Sequence, residues 1–222
     1  MRRGDLIDMK SGSGRIRGQA GRRAVLAGLM AATLPVGRAR SDEGEEQARR
    51  LIEALAGRAL TTLRRGDIGL KQRESEFRAI LGDGFDLDFI GRFVMGRHWR
   101  NATATQQEEY LALFREFVLM AYAARFGGYQ GEAFVVVGAR RASDKDVVVA
   151  TEVTSPNGSP IGADWRVRVV DGRPRIIDVA VEGVSMALNQ RQEFDAVVAR
   201  HGIDGLIAML RARVGKVSIA AG

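Results

Sequence analysis

The stretch AFVVVGARRASDKDVVVATEVTSPNGSPIGADWRVRVVDGRPRIIDVAVEG, residues 133–183, decides the fold. Apolar and polar residues alternate with a period of two in four runs, which begin near Ala133, Asp146, Ala163 and Pro174. Short, turn-rich segments join these runs: SDK, SPNGSP and DGR. Because joins of that length connect neighbouring antiparallel strands, the stretch predicts a four-stranded antiparallel meander.

The alternation also assigns the two faces of this sheet. Glu152, Arg166 and Arg168 are expected on the outer face. The opposite parity places on the inner face Val147, Val149, Val153, Trp165, Val167, Val169, Val179 and Val181. The inner face is therefore apolar and needs a covering layer.

Helices are predicted on both sides of the meander. Four precede it: three within EEQARRLIEALAGRALTTLRR, KQRESEFRAIL and DLDFIGRFVMG, and then the longest one. Two follow it, beginning at Ser185 and Ile203. The longest helix, TQQEEYLALFREFVLMAYAARF, opens with a capping-box pattern at Thr105 and Glu108 and is expected to end at Gly127-Gly128. This order indicates an α+β protein with helices packed on one face of a curved sheet.

The wide apolar face of the longest helix is expected to lie against the inner face of the sheet. Two arrangements satisfy this pattern. One is an ordinary packed core, and the other is an apolar cavity between helices and sheet that holds acyl chains. The residues alone leave both open.

Residues 1–39 have the organisation of a bacterial export signal. A basic region precedes AVLAGLMAATLPV, thirteen mildly apolar residues from Ala24, and the small residues Gly37 and Ala39 stand at the −3 and −1 positions of a cleavage site. The Arg22-Arg23 pair resembles the twin-arginine type. The apolar run is shorter than the roughly 20 residues of a membrane-spanning helix. A basic DNA-binding arm is the alternative. We expect residues 40–222 to form a single domain outside the cytoplasm.

The excess of positive charge lies in this leader. The chain has 34 basic and 27 acidic side chains, of which residues 1–40 hold nine and two, leaving 25 of each in the remainder. A neutral body does not indicate a nucleic-acid partner. The chain contains no cysteine, which excludes disulfides and thiolate metal ligands.

Motifs for catalysis or metal binding are missing from the sequence. His98 and His201 have no partners at metal-ligand spacing, and each is expected at a helix end or on the surface. Ser185 is outside any Gly-x-Ser-x-Gly elbow and stands where a helix N-cap belongs. Asp178 and Glu182 would lie roughly 13 Å apart on one strand face, too far for a glycosidase pair. We expect no enzymatic activity, and expect Glu182 to anchor its corner through an arginine or backbone donors.

Two blocks of the chain resemble the toluene-tolerance/MlaC family of periplasmic lipid-binding proteins. The first, residues 81–129, carries Phe-Asp, Ile-x-Arg, Gly-x-x-Trp-Arg, Thr-x-x-Gln and Phe-x-x-Phe motifs followed by Tyr122. The second, residues 162–210, carries Asp-Val-x-x-Glu-Gly-Val-Ser and Asn-x-Arg-x-x-Phe. The segments GVSMALNQRQEF and DWRVRV lean toward the hopanoid-biosynthesis-associated branch.

This resemblance implies a periplasmic carrier without catalytic activity or cofactor, whose cargo is phospholipid. Its partners would be an inner-membrane ABC transporter with a lipid-binding substrate domain and an outer-membrane lipoprotein complex. Such a system maintains outer-membrane lipid asymmetry and gives toluene tolerance. The alternatives are a hopanoid carrier of the same family and a transporter adaptor that holds no lipid.

The expected site residues follow from the resemblance and the apolar faces. The lipid chains are expected to contact Phe93, Trp99, Phe114, Phe117, Val118, Tyr122, Val149, Trp165, Val167, Val179 and Val184. The head group is expected to meet Arg97, Arg100 and Arg125.

Overall fold

The fold is given by a computed structural model, which describes residues 36–123, 131–156 and 158–220. The helices before the sheet are α1 (Val36–Arg64), α2 (Leu70–Gly84), α3 (Leu87–Met95), a 3-10 helix (Gly96–Asn101) and α4 (Ala104–Ala123). The strands are β1 (Ala133–Arg141), β2 (Asp146–Thr154), β3 (Ile161–Val170), β4 (Arg173–Val181) and β5 (Val184–Ser185), and α5 (Met186–Ala220) follows. This order confirms the α+β class. The predicted export signal, up to residue 35, and Gly127-Gly128 lie outside the described residues.

The sheet is an open antiparallel meander with the strand order β1-β2-β3-β4-β5. The prediction of four strands was wrong by one, because Val184-Ser185 pairs with Ala180-Val181. Glu182 and Gly183 make this pairing possible, since both adopt positive φ angles, 49° and 78°, as a two-residue hairpin turn requires. The pairing shifts by one residue after Val136 in β1 and after Arg166 in β3, and such bulges increase the bend of a sheet.

The corner between the sheet and α5 is held by side chains on both sides of it. The Leu188 N–H donates to Ser185 Oγ at 3.1 Å, which confirms Ser185 as the N-cap. Asp178 reinforces this cap by accepting from Ser185 Oγ at 2.6 Å and from the Ala187 N–H at 3.1 Å. Glu182 accepts from the backbone N–H of Gly162, so its anchor is a backbone donor.

The capping box of α4 starts at Thr103, two residues before the predicted Thr105. The Gln106 N–H donates to Thr103 Oγ1 at 3.2 Å, and the Thr103 N–H donates to Gln106 Oε1 at 3.0 Å. The predicted cap, Thr105 with Glu108, was therefore wrong, because Thr105 already lies within the helix. Helix α1 also begins earlier than predicted, and a non-helical Gly202, at φ 68°, separates the two predicted segments of α5.

The buried side chains form two main cores. The helix cluster joins α3, α4 and α5 through Leu87, Ile90, Val94, Met95, Tyr110, Phe114, Ala187, Phe194, Val198, Leu206, Ile207 and Leu210. The sheet cluster joins α1 to the inner face of the sheet through Ala48, Ile52, Val149, Val167 and Ile176. A smaller core lies between α2 and the C-terminal half of α1.

Helix α1, and not α4, covers the inner face of the sheet. This corrects the expectation that the long helix would face the strands, because α4 packs mainly on α2, α3 and α5. The aromatic rings of α4 pack within the helix cluster: Tyr110 stacks on Phe114 with centroids 5.7 Å apart, and both rings contact Phe194 of α5. Small residues let α1 approach the strands instead, since a Cβ at Gly44 would lie 4.0 Å from Val147 Cγ2.

The segment Phe85-Asp86 connects the two main cores. The Asp86 N–H donates to the Ile176 carbonyl at 3.0 Å, on the edge of β4 that the two-residue β5 leaves uncovered. Asp86 Oδ1 accepts from the Phe89 N–H at 2.9 Å and so caps α3. Phe85 packs against both clusters and meets Trp165 edge-on at 6.4 Å. The position of the helix cluster relative to the sheet therefore depends on this segment.

Candidate functional site

The predicted lipid-binding residues do not form one site in this structure. Phe93, Trp99, Phe114, Phe117 and Val118 belong to the helix cluster or pack against it. Val149, Trp165, Val167 and Val179 belong to the sheet cluster or pack against it.

Two further predicted lipid-contact residues, Val184 and Tyr122, lie on β5 and α4. Val184 is exposed on β5, with 55% of its surface accessible, and Tyr122 is half-buried near the end of α4. Arg125 lies outside the described residues.

The helix cluster has the properties of an ordinary core. Its rings are in mutual contact, and Trp99 meets Tyr110 edge-on at 6.5 Å. The Tyr110 hydroxyl donates to the Gly91 carbonyl at 2.9 Å, and burial raises the pKa of this phenol well above its usual range. Of the two arrangements left open by the sequence, the packed core describes this half of the molecule.

The inner face of the sheet presents an apolar surface because its polar groups bind each other. Trp165 Nε1–H donates to Thr151 Oγ1 at 2.8 Å, and the Thr151 hydroxyl donates to the Ala163 carbonyl at 3.0 Å. Phe134 also meets Trp165, with ring centroids 6.5 Å apart in an edge-to-face arrangement. A ligand at this face would therefore contact carbon atoms, because the indole N–H and the threonine hydroxyl already have hydrogen-bond partners within the sheet.

An open cavity of about 470 Å³ lies between the N-terminal half of α1 and the end of the sheet next to the β1–β2 turn. Its apolar floor consists of Val147, Val167, Val169 and Pro174, together with Ala48 of α1. Val169, predicted to point inward, is 52% exposed because it lies at this opening. The remaining lining residues are Gly44 and the polar residues Glu43, Gln47, Arg141, Ser143, Asp144, Lys145 and Asp146. The volume is within the range of small-molecule sites.

A second cavity, of about 480 Å³, lies between α1 and α2. It is lined by Ala54, Gly57, Arg58, Thr61, Thr62, Glu76, Ala79 and Ile80. None of these is a predicted site residue, whereas the first cavity contains Val167. The first cavity, which continues into the sheet cluster, is therefore the better candidate.

Two cations at the rim of the first cavity, Arg141 and Lys145, were missed by the sequence analysis. The Arg141 guanidinium donates to the carbonyls of Ser143 and Asp144, both at 3.2 Å, so the β1–β2 turn orients it. A signal for them was available, since both flank the turn that precedes the inward-facing Val147. The predicted head-group residues Arg97 and Arg100 do not line this cavity but lie on the 3-10 helix.

His98 has a partner that the sequence analysis did not find. Its Nε2 lies 2.8 Å from Asp195 Oδ1, and Arg97 pairs with the same carboxylate at 3.0 Å. The hydrogen bond from His98, with the charges of Arg97 and Arg191, holds the pKa of Asp195 below its usual range. Within the described ranges, no group of three His, Asp or Glu side chains is arranged to hold a metal ion.

One buried carboxylate stabilises the end of the sheet at the first cavity. Asp146, 5% exposed, accepts from Arg168 Nε at 2.6 Å, and this hydrogen bond raises the pKa of the guanidinium. Arg168 was predicted on the outer face of the sheet, and its guanidinium lies there 4.8 Å from the Phe89 ring centroid of α3. The pair ties β2 to β3 next to the cavity floor.

The fold and the site define a class: an α+β domain whose apolar inner sheet face is covered by a single helix. The family model described as MlaC protein matches residues 32–212. The chain belongs to the MlaC family.

Individual relatives are distant in sequence. The intermembrane phospholipid transport system binding protein MlaC of Haemophilus influenzae is 21% identical over 169 residues, 72% of this chain and 79% of the relative. The toluene tolerance protein ttg2D of Pseudomonas putida is 25% identical over 126 residues, 56% of this chain and 59% of the relative.

A solved structure shares the fold. It is a phospholipid-binding protein from Ralstonia solanacearum in complex with a phospholipid, with a TM-score of 0.68 and 23% identity. The match covers 78% of this chain and 99% of that one. In the part of this chain that the structure describes, no helix has the length and apolarity needed to cross a membrane.

Proposed function

We propose that this protein is a periplasmic phospholipid carrier whose site lies between α1 and the inner face of the sheet. The observation that carries the proposal is the apolar inner face, which opens at one end into the cavity floored by Val147 and Val167. Membership of the MlaC family supports it, as do the names of the relatives and the phospholipid held by the structural neighbour.

The energetics favour exchange of protein contacts for acyl chains at this site. Among the α1 residues from position 42 onward, Ala48 and Ile52 are buried against the strands and Leu51 and Leu55 pack there partly buried, contacts worth about 4–7 kcal/mol together. Two acyl chains removed from water gain on the order of 20 kcal/mol at ~0.8 kcal/mol per methylene. A carrier needs such a dry slot and no catalytic group. We therefore infer that the protein is not an enzyme.

The remaining parts of the proposal concern transport. Residues 1–39 would direct export, and the neutral body would let the carrier leave an anionic membrane surface. The protein would exchange lipid with an inner-membrane ABC transporter and an outer-membrane lipoprotein complex. Arg141 and Lys145 would contact the head group at the rim. The head-group role of Arg97 and Arg100 stays a prediction. Lipid uptake by a double alanine variant of Arg97 and Arg100, compared with uptake by a double alanine variant of Arg141 and Lys145, would show which pair contacts the head group.

The test combines lipid extraction with a matched pair of variants. The purified protein is extracted with organic solvent for lipid mass spectrometry, and its uptake of labelled lipid from vesicles is measured. Val167→Trp should reduce uptake at least tenfold by filling the slot, whereas Val135→Trp should have little effect because Val135 is 55% exposed.

Each outcome separates the candidates. Recovery of phospholipid supports the proposal, and recovery of hopanoid alone supports the hopanoid carrier. No recovered lipid together with no uptake would contradict both. An adaptor that holds no lipid would tolerate Val167→Trp as well as it tolerates Val135→Trp.

A further inference from the structure

The two halves of α1 are held very differently. Its C-terminal half is tied to α2 by Thr62 Oγ1 donating to Glu76 at 2.8 Å and by the Arg58–Asp83 pair at 3.0 Å. Leu55 is fixed over α2 as well, because its side chain fills the space above Gly84 that a Cβ would occupy. The second half is therefore a fixed part of the helical layer.

Residues 42–52, which we name the strap, lie on the strands and do not share the ties to α2; Leu51 packs partly buried against the sheet cluster. Ala48 and Ile52 are the fully buried members, and Glu45 accepts a hydrogen bond from the Arg141 N–H at 3.1 Å. The polar side of the strap carries the ion pairs Arg49–Glu53 at 2.8 Å and Arg50–Glu46 at 2.7 Å, which support its helical conformation. Both pairs lie within α1, so neither is lost when the strap leaves the sheet.

The strap also stands over the candidate site. Four of its residues line the first cavity: Glu43, Gly44, Gln47 and Ala48. The sheet face directly beneath, around Val149, is buried under the strap together with Leu55 and Phe85. Acyl chains that reach this face must occupy the space that Ala48 and Ile52 fill.

We propose that the strap is a gate, which covers the inner face of the empty protein and moves away from β2 when lipid enters. This inference rests on the proposed function and adds its regulation. The exchange is favourable because the side chains of Ala48, Leu51 and Ile52 together bury fewer carbons than a single acyl chain. Lipid thus shifts the equilibrium between covered and open sheet in favour of the open form.

A reversible cross-link tests the gate. The chain contains no cysteine, so Gly44→Cys with Val147→Cys introduces the only thiols. A Cβ at position 44 would lie 4.0 Å from Val147 Cγ2, so side chains at the two positions are in van der Waals contact. Uptake of labelled phospholipid from phosphatidylethanolamine–phosphatidylglycerol vesicles is compared for the oxidised and reduced double variant. Oxidation should lower uptake about tenfold or more, and reduction should restore it.

Controls separate the gate from general effects of a disulfide. Ala150→Cys with Asp164→Cys joins directly opposed residues of β2 and β3, so it stiffens the sheet and leaves α1 free. This variant should load equally well in both redox states. Lipid loaded before oxidation should also slow formation of the 44–147 disulfide.

The outcomes distinguish failure of the gate from failure of the carrier. If the reduced variant loads and the oxidised one loads equally fast, the gate is refuted and the carrier stands. If the unmodified and reduced proteins both take up no lipid, the carrier itself is refuted. Should the double variant not fold, Ile52→Ala provides the second test. It weakens the closed form and should accelerate uptake, and an unchanged or slower rate would overturn the gate.

Discussion

Replacing Asp178 by alanine tests the corner at which the sheet turns into α5. The carboxylate accepts from Ser185 Oγ at 2.6 Å and from the Ala187 N–H at 3.1 Å, so one side chain holds both the cap and the helix end. Loss of an N-cap interaction costs about 1 kcal/mol, and a hydrogen bond to a charged group contributes about 1.5–3 kcal/mol. Because Asp178 is half-buried, we expect the free energy of unfolding to fall by about 2 kcal/mol.

The measurement is urea denaturation followed by circular dichroism, with thermal melting as a second observable. A loss of about 2 kcal/mol corresponds to a fall in Tm of roughly 4–8 °C for a chain of this length. Glu152→Ala is the matched control, since it removes an exposed carboxylate from the neighbouring part of the sheet and should change stability by less than about 0.5 kcal/mol.

A double-mutant cycle shows whether the two caps act as one unit. Ser185→Ala alone should cost about 1 kcal/mol, and the double variant should cost less than the sum, because Ser185 and Asp178 act on the same helix end. A change within error for Asp178→Ala, or full additivity with Ser185→Ala, would falsify this account of the corner.

Two further predictions concern other local contacts. Thr103→Ala should destabilise the protein by about 1 kcal/mol, whereas Thr105→Ala should have less than half that effect, because Thr103 forms the capping box; thermal melting of both variants decides. Asp88→Asn tests a pH dependence, because the hydrogen bond from Arg115 lowers the pKa of Asp88 in the folded protein. The ionised carboxylate therefore stabilises the fold fully above the ordinary carboxyl pKa of about 4, and this stabilisation is lost as the pH falls through the lowered pKa. The variant should be less stable at pH 7 by at most ~1 kcal/mol, with the difference vanishing near pH 2, and a difference that persists or grows in acid would contradict the assignment.

Local patterns in the sequence predicted the elements well. The period-two runs and their short joins were sufficient for β1 to β4, because side-chain alternation is a property of each strand alone. The cap at Ser185 was predictable for the same reason, since it depends on neighbours along the chain. The two-residue β5 was missed because a hairpin arm of that length has no periodicity to detect.

Long-range packing is where prediction from the sequence failed. Both α1 and α4 have an apolar stripe, and the pattern does not say which partner a stripe meets. The shape of the side chains determines which helix covers the sheet. The small residues Gly44 and Ala48 let α1 lie close to Val147, whereas the aromatic rings of α4 pack against those of α5. The pair His98–Asp195 was missed similarly, because 97 residues separate its members.

The contacts also explain why the resemblance predicts the fold better than the cargo. The motif residues are structural joints: Phe85-Asp86 connects the two cores, Thr103–Gln106 caps α4, and Asp178–Ser185 caps α5. Gly96, at φ 59°, lies so close to Arg191 that a Cβ would be 2.8 Å from its Nε, so the two motif blocks meet at that point. Val167 of the proposed site lies within the second block, but the strap and β2 lie outside both blocks. A substitution there could change the cargo while every motif stays intact, and the choice between phospholipid and hopanoid therefore depends on the space between α1 and the sheet.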